Sequence, residues 1–275
     1  MRVCIIGYGN MGKRHERVLE SMGHEVMTVD TDPGAGAEIG LSGDRAHSVY
    51  PLADAYCVAT PIPLLGDVAI ACADAGPVLV EKPGGQHLWQ ARQLHLYGKH
   101  PVIVGYTECF NPAVNALRDN LDAIGTVRHV SARRLGYASE NAPDPALDLA
   151  THDLEVLHYL GFEPELIHAA ASPRHVSALL RDGETTFSIE ASHLHRRKIR
   201  DLELTGDHGT LRVDYQAKRL FIENIEITIP DRDEEPLRRE WEAFFRGEGR
   251  DGIATLKLAE QMMLVARQPT LRAVA

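Results

Sequence analysis

Three short runs carry residue types that can do chemistry together. Gly7-Tyr8-Gly9-Asn10-Met11-Gly12 forms a G-x-G-x-x-G loop, Glu81-Lys82-Pro83 sets one lysine after an apolar run, and Asp148 and His152 stand four residues apart. A glycine loop between a strand and a helix lets backbone N–H groups approach a pyrophosphate. A lysine at a strand's end can hold a hydroxyl or carbonyl oxygen and stabilise negative charge there. A carboxylate and an imidazole four residues apart share one helix face, with the carboxylate near the favourable N-terminal end, and histidine exchanges protons near neutral pH. Dinucleotide binding, an oxygen-holding cation and a proton shuttle are the needs of nicotinamide-dependent hydride transfer.

These runs need particular elements to position them. Val3 to Ile6 reads as a strand entering the loop, and Arg14 to Leu19 as the helix leaving it. Gly7 permits the tight turn, Gly9 keeps a Cβ out of the pyrophosphate's path, and Gly12 lets helix and strand pack closely. A second strand, Glu25 to Val29, ends at Asp30, 23 positions after Gly7 and near the expected spacing of about 20. A carboxylate there accepts both ribose hydroxyls and repels a 2′-phosphate. Thr31 and Asp32 offer no arginine in its place, so NAD is expected in preference to NADP. The next strand, Ala55 to Ala59, puts Thr60 and Pro61 at the carboxyl edge of a parallel sheet, where ligands sit. The intervening link holds Gly34, Gly36, Gly40 and Gly43, and a full crossover helix is expected to be reduced or missing there. Pro77 to Val80 reads as the strand feeding Glu81-Lys82-Pro83, and Val102 to Val104 as the strand before Gly105-Tyr106.

The second half changes character. A helix is expected over Ala113 to Leu121, a strand over Thr126 to Leu135, a polar loop over Gly136 to Pro145 and a helix over Leu147 to Leu160. Six β-rich segments follow: Ile167 to Ala171, His175 to Leu180, Thr185 to His193, Ile199 to Thr205, Thr210 to Tyr215 and Ile225 to Ile229. Helices close the chain near Leu237 to Arg246 and Ile253 to Ala266. The expected fold class is therefore α/β: a Rossmann dinucleotide-binding domain over 1–106, then an α+β domain over 107–275 with a large, mostly antiparallel sheet. His193 and His195 would share one strand face, but no third zinc ligand accompanies them, so they read as ordinary strand histidines. Arg196-Arg197-Lys198 with Arg200 is flanked by acids and reads as a solvated strand or turn.

Bulk properties narrow the classes. The chain has 275 residues, 44% hydrophobic and 25% charged, with a formal net charge of −10. Such a balance fits a globular protein with a sizeable core and argues against nucleic acid or anionic membrane as partners. Cys4, Cys57, Cys72 and Cys109 have no metal-ligand spacing and read as buried thiols of a reducing compartment. The chain opens almost at once on a strand and has no apolar run of spanning length. A cytoplasmic protein without a signal peptide is the expectation.

At this point the sequence resembles the glucose-fructose oxidoreductase / inositol dehydrogenase (Gfo/Idh/MocA) family. The matching residues are the Gly7-to-Gly12 loop with His15, Val80-Glu81-Lys82-Pro83, Gly105-Tyr106 followed by Phe110-Asn111-Pro112, and Asp148 with His152-Asp153. Weaker similarity runs through Leu204-Thr205-Gly206 and Gly209-Thr210-Leu211. The chain departs from the family in being shorter, in carrying Glu108 and Cys109 where polar or basic residues are frequent, and in Leu65 where a histidine is frequent. The resemblance implies that Gly7, Tyr8, Gly9, Asn10, Met11, Gly12, Asp30, Thr60, Pro61, Glu81 and Lys82 contact the cofactor. It implies that Lys82 holds the reacting oxygen, that His152 exchanges the proton assisted by Asp148, and that Tyr106, Glu108, Phe110 and Asn111 meet a small-molecule substrate. No metal is expected. It further implies a site in the cleft between domains and a homodimer or homotetramer built through the second sheet.

The activity expected is NAD-dependent hydride transfer at a hydroxyl or carbonyl carbon of a sugar, polyol or sugar derivative. An imine (C=N) reductase on the same scaffold is one alternative, and a non-catalytic NAD-binding sensor is another. The intact Lys82 and His152 argue against the sensor.

Overall fold

The structure, a computed structural model, describes residues 1–40 and 52–267. It divides into two compact units, Met1–Phe110 with Asp233–Leu256, and Asn111–Arg232 with Lys257–Ala275.

In the first unit six strands form one parallel sheet: β1 (Arg2–Ile6), β2 (Glu25–Asp30), β3 (Ile39–Gly40), β4 (Ala55–Val58), β5 (Val78–Glu81) and β6 (Val102–Gly105). Their order, β3-β2-β1-β4-β5-β6, is the 3-2-1-4-5-6 arrangement of dinucleotide-binding sheets. Strands β4, β5 and β6 are buried at every residue, as continuous apolar runs covered on both faces must be. Helices α1 (Asn10–Ser21), α2 (Ile62–Ala73) and α3 (Leu88–Tyr97) follow β1, β4 and β5. Between β2 and β3 lies a single 3₁₀ turn, Pro33–Ala35, which the Asp32 carboxylate caps by accepting from Gly34 N at 2.8 Å; residues 41–51 of the link in which a full crossover helix was expected to be reduced or missing lie outside the described residues. Gly43 lies outside the described residues. β3 itself was not expected. Two residues carry too little periodicity to be read.

The second unit is built on an eight-stranded sheet. Its strands are β7 (Val127–Tyr137), β8 (Glu165–Ser172), β9 (His175–Asp182), β10 (Thr185–Ser192), β11 (Leu194–Gly206), β12 (Gly209–Asp214), β13 (Arg219–Ile222) and β14 (Ile225–Ile227), in the order β14-β13-β12-β11-β7-β10-β9-β8. Only the β7–β10 pair is parallel; every other pair is antiparallel. Helix α4 (Pro112–Asp119), and a π-helical turn (Ala146–Ala150) that runs into α5 (Thr151–Tyr159), pack on one face. That face carries Val130, Ala132, Leu180, Phe187, Ile189, Leu202, Leu204 and Val213, all buried. The alternate residues at the centre of the sheet are polar, with Leu179 exposed among them. Ser131 lies beside Ser188 and Glu203, and Arg133 lies between Glu190 and Asp201, donating to Asp201 at 2.9 Å. Strand β13 was missed in the sequence: Arg219 to Ile222 is four residues long and follows a turn in which Lys218 is left-handed.

Helix α6 (Pro236–Phe245) belongs to the first unit, although it lies far along the chain, while α7 (Ile253–Ala266) starts in the first unit and belongs to the second from Lys257 onward. The first unit is therefore not contiguous in sequence, unlike the expected 1–106. The reason is hydrophobic: Leu237, Trp241 and Phe244 of α6 join Val3, Ile5, Leu19, Cys57 and Leu79 in one core. Burying side chains of this size stabilises by about 1.5–3 kcal/mol each. No helix among the described residues is long and apolar enough to cross a membrane.

Candidate functional site

The glycine loop is shaped by its backbone. Gly7 has φ +94°, and a Cβ on it would lie 2.6 Å from the Ala59 carbonyl. A Cβ on Gly12 would lie 2.1 Å from the Gly7 oxygen. No side chain can be added at either position without moving backbone. Around Gly9, the N-cap of α1, nothing lies within 4 Å of a built Cβ. The first and third glycines thus close the turn, and the second leaves open space at a helix N-terminus that has no acidic residue in its first turn. That is a cradle for phosphate oxygens. Asn10 is exposed and Met11 half-buried beside it.

Asp30 ends β2 and is oriented by two backbone donors: Tyr8 N–H to Oδ2 at 2.6 Å and Asp32 N–H to Oδ1 at 2.8 Å. A carboxylate has about four acceptor positions, so two stay available to ribose hydroxyls. The Tyr8 hydroxyl donates to Glu16, and this bond pushes the phenol up to about 12. Thr60 follows β4, with its hydroxyl oxygen buried and without a hydrogen-bond partner among the described residues, and Pro61 is the exposed N-cap residue of α2. An open cradle, a preset carboxylate and an orphaned hydroxyl fit a dinucleotide.

Glu81 ends β5, and its carboxylate turns to the interior. It meets His15 Nε2 at 2.9 Å, while Trp241 Nε1–H donates to His15 Nδ1 at 3.0 Å. An indole N–H only donates, so Nδ1 accepts and the ring proton sits on Nε2, pointing at Glu81. Glu240, one residue before Trp241 on α6, is 1% exposed; Thr107 donates to its Oε2 at 3.3 Å, and its Oε1 has no partner among the described residues. Its oxygens lie 3.6 Å from a Cβ built on Gly105, which is paired with Glu81 across β5 and β6. Burial, and then the charge of Glu81, hold the Glu240 carboxyl well above the usual carboxylate range. The Glu81 side chain, expected either to meet the cofactor or to tie down its loop, reaches His15 through Oε1 beneath the loop that carries Lys82. Lys82 itself is half-buried in the turn after β5, joined to Pro83 by a cis peptide bond. In the same unit Tyr106 is 2% exposed, and Glu108 and Phe110 are half-buried in the 3₁₀ turn Thr107–Phe110.

In the second unit Asn111 caps α4. Its Oδ1 accepts from Ala113 N at 3.1 Å and its Nδ2 donates to the Tyr215 carbonyl at 3.1 Å, so both ends of the amide are committed to backbone. Asp148 sits in the π-helical turn, not at an α-helical N-cap, and His152 follows as the second residue of α5. Asp148 Oδ2 lies 3.4 Å from His193 Nε2, a contact that is an ion pair when the imidazole is protonated. This corrects the reading of His193 and His195 as equivalent strand residues. His193 falls between β10 and β11 and is 4% exposed, whereas His195 is exposed in β11. The signal missed was the end of the apolar alternation at Ser192, which breaks the strand before the histidine. Asp153 is fully buried and takes a two-pronged salt bridge from Arg134 at 3.0 Å, with the guanidinium 4.9 Å from the Tyr215 ring centre. Breaking such a pair costs about 3–5 kcal/mol. It fastens the helix of His152 to β7.

No family model matches the chain, and no curated protein matches its sequence. Solved structures do match its fold. UDP-N-acetylglucosamine 3-dehydrogenase from Acidithiobacillus ferrooxidans is 20% identical with a TM-score of 0.76, covering 97% of this chain and 96% of that one. KijD10, a 3-ketoreductase from Actinomadura kijaniata in complex with TDP-benzene and NADP, is 19% identical with a TM-score of 0.82, covering 96% and 97%. An oxidoreductase from Agrobacterium radiobacter in complex with NAD+, L-tartaric acid and magnesium is 16% identical with a TM-score of 0.78, covering 97% and 96%. This chain has the Gfo/Idh/MocA fold. The likeness extends over nearly the whole of each partner, so it takes in both units of this chain.

Proposed function

We propose that this chain is a Gfo/Idh/MocA-family oxidoreductase that uses NAD to transfer hydride at a hydroxyl or carbonyl carbon of a sugar, polyol or sugar derivative. The observation that carries the reading is the Asp30 carboxylate, held by Tyr8 N–H and Asp32 N–H at the end of β2, beside a glycine cradle left open at Gly9. Gly7 to Gly12, Asp30, Thr60 and Pro61 would hold the cofactor, which when bound supplies or takes up the hydride. Lys82 holds the reacting oxygen and offsets negative charge on it. His152 exchanges the hydroxyl proton, and Asp148, itself held by His193, orients it. Tyr106, Glu108 and Phe110 are the substrate contacts in this reading, with Asn111 a cap that shapes their chain. Residues 1–106 and 107–275 keep the roles of cofactor domain and substrate and assembly domain, with α6 as a late addition to the first.

Solved structures of this fold, a UDP-N-acetylglucosamine 3-dehydrogenase, an oxidoreductase complex with NAD+ and a 3-ketoreductase complex with NADP, support the class and leave the choice of cofactor to Asp30. The test is NAD reduction or NADH oxidation with a panel of polyols, sugars, keto-sugars and imines. Asp30→Ala should weaken NAD binding and narrow its preference over NADP; unchanged discrimination between the two removes Asp30 from the site. A homodimer or homotetramer through the polar face of the second sheet belongs to the same reading. Light scattering at micromolar concentration checks it, and an active monomer of about the chain mass of 30.3 kDa overturns it.

A further inference from the structure

Arg174 lies in the two-residue turn between β8 and β9, with a left-handed φ of +69° where glycine or asparagine is the usual occupant. Its Nη2 donates to the His193 carbonyl at 2.9 Å and to the Ala138 carbonyl, and its guanidinium carbon lies 5.5 Å from the Tyr137 ring centre. Its Nε is buried and has no acceptor, and among the described residues no carboxylate pairs with it. Arg174 is half-buried, a guanidinium is charged at any physiological pH, and one partly shielded from water is normally met by a counter-charge. Here the counter-charge is missing.

Arg174 lines a cavity of about 300 Å³ with Ser172, His175, Met263, Arg267 and Asp144. Two guanidiniums face one carboxylate. Asp144 is already engaged, accepting from Ala146 N at 2.9 Å through Oδ1 and meeting Arg267 at 3.5 Å through Oδ2. His175 is turned to the Ser177 hydroxyl at 3.0 Å. The cavity is therefore short of one negative group on the side of Arg174. Through the His193 carbonyl that same arginine is tied to the residue paired with Asp148.

We infer that this cavity is an anion subsite, where Arg174 with Arg267 grips a phosphate or carboxylate group carried by the substrate whose other end reacts near Asp148 and His152. The inference rests on the oxidoreductase reading for which end reacts, and goes beyond it in assigning a charged tail to the substrate. The fork of an arginine suits either anion, since both present paired oxygens to parallel N–H donors.

Equilibrium binding of inorganic pyrophosphate and of D-glucuronate, with glucose as the uncharged control, tests this on the wild type, Arg174→Gln, Arg174→Lys and Arg267→Gln. NADH binding to each variant serves as the check on folding. The wild type should bind at least one of the two anions and not glucose. Arg174→Gln should weaken that anion by about ten- to a hundredfold, the usual range for losing a charge-assisted contact. Arg174→Lys should restore part of the loss, and Arg267→Gln should weaken the same anion less. Whichever anion binds names the group. Equal affinity of wild type and both glutamine variants, or no anion binding by a wild type that binds NADH, overturns the subsite. If Arg174→Gln does not fold, Arg267→Gln alone decides, because it empties the same cavity of its other cation without touching the His193 carbonyl. Anion binding that falls with Arg174→Gln in a protein that never binds NADH supports the subsite and overturns the oxidoreductase reading instead.

Discussion

Around Gly7 to Gly12 the constraints are steric and mostly close in sequence: backbone meets backbone at 2–3 Å when a Cβ is added at Gly7 or Gly12, and the distant partners in contact are strand ends of the same parallel sheet. Around Asp148 the constraints are electrostatic and distant, joining His193 to Asp148 across 45 positions, and Arg134 on β7 to Asp153. A steric device fails all at once when one atom is added. An electrostatic device is graded, because each partner can be weakened separately. In the proposed function the cofactor would be met by the first kind of construction and the substrate end by the second.

The largest expected effect would break the comparison at its reactive end. Lys82→Ala and His152→Ala should each lower turnover by about 10²–10⁴-fold, with NADH affinity little changed. His193→Gln should lower it less, since His193 acts through Asp148. Steady-state kinetics with NADH titration decides this, and wild-type turnover in both alanine variants removes the dehydrogenase roles.

Next in size is a pair of glycine substitutions. Gly12→Ala forces a contact of 2.1 Å with the Gly7 oxygen and should cost more than the roughly 1–3 kcal/mol of ordinary overpacking. Gly9→Ala meets nothing within 4 Å, has a φ of −79° that alanine accepts, and should leave stability unchanged to within about 0.5 kcal/mol while weakening NADH binding. Denaturant melts and NADH fluorescence on the two variants check this. Equal stabilities would mean that the loop is not sterically defined.

A smaller effect sharpens the contrast from below the Lys82 loop. Glu240 holds its proton more tightly folded than unfolded, so its contribution is fully present below its unfolded value near 4.5 and is lost as pH rises toward its folded value. In that window wild-type stability should fall relative to Glu240→Gln, by up to about 1.4 kcal/mol per pH unit. Melting temperatures of the two proteins compared from pH 5 upward give the answer, and a constant difference would mean that Glu240 is ionised like a surface acid.

The same contrast explains what could be read beforehand. Strand, glycine turn and helix are adjacent in sequence, and Asp30 stands at a spacing fixed by one helix and one strand, so the cofactor end was legible. The pairing of His15 with Trp241 spans 226 positions and depends on α6 returning to the first sheet, which no local pattern announces. That Glu81 reaches His15 was therefore only one of two readings, beside a contact with the cofactor. His193 was grouped with His195 on the assumption of unbroken alternation, but the chain leaves the ladder at Ser192 and the register of β11 on β7 shifts between Leu194 and Ile199. Asp148 and His152 were legible as residues four apart, whereas the π-helical turn that carries Asp148 was not, because one wider turn leaves no periodic pattern of its own. The short strands β3 and β13 were lost to length.

The four cysteines give the molecule an internal clock. Cys4, Cys57, Cys72 and Cys109 are all at most 3% exposed, none is cross-linked, and all belong to the first unit. A thiol reagent can reach them only when that unit opens, and the second unit contributes no thiol of its own. The rate of thiol labelling therefore reads the opening of the nucleotide-fold unit separately from the other. Slower labelling with added NADH would time the unit's opening against its ligand, with no probe attached to the protein.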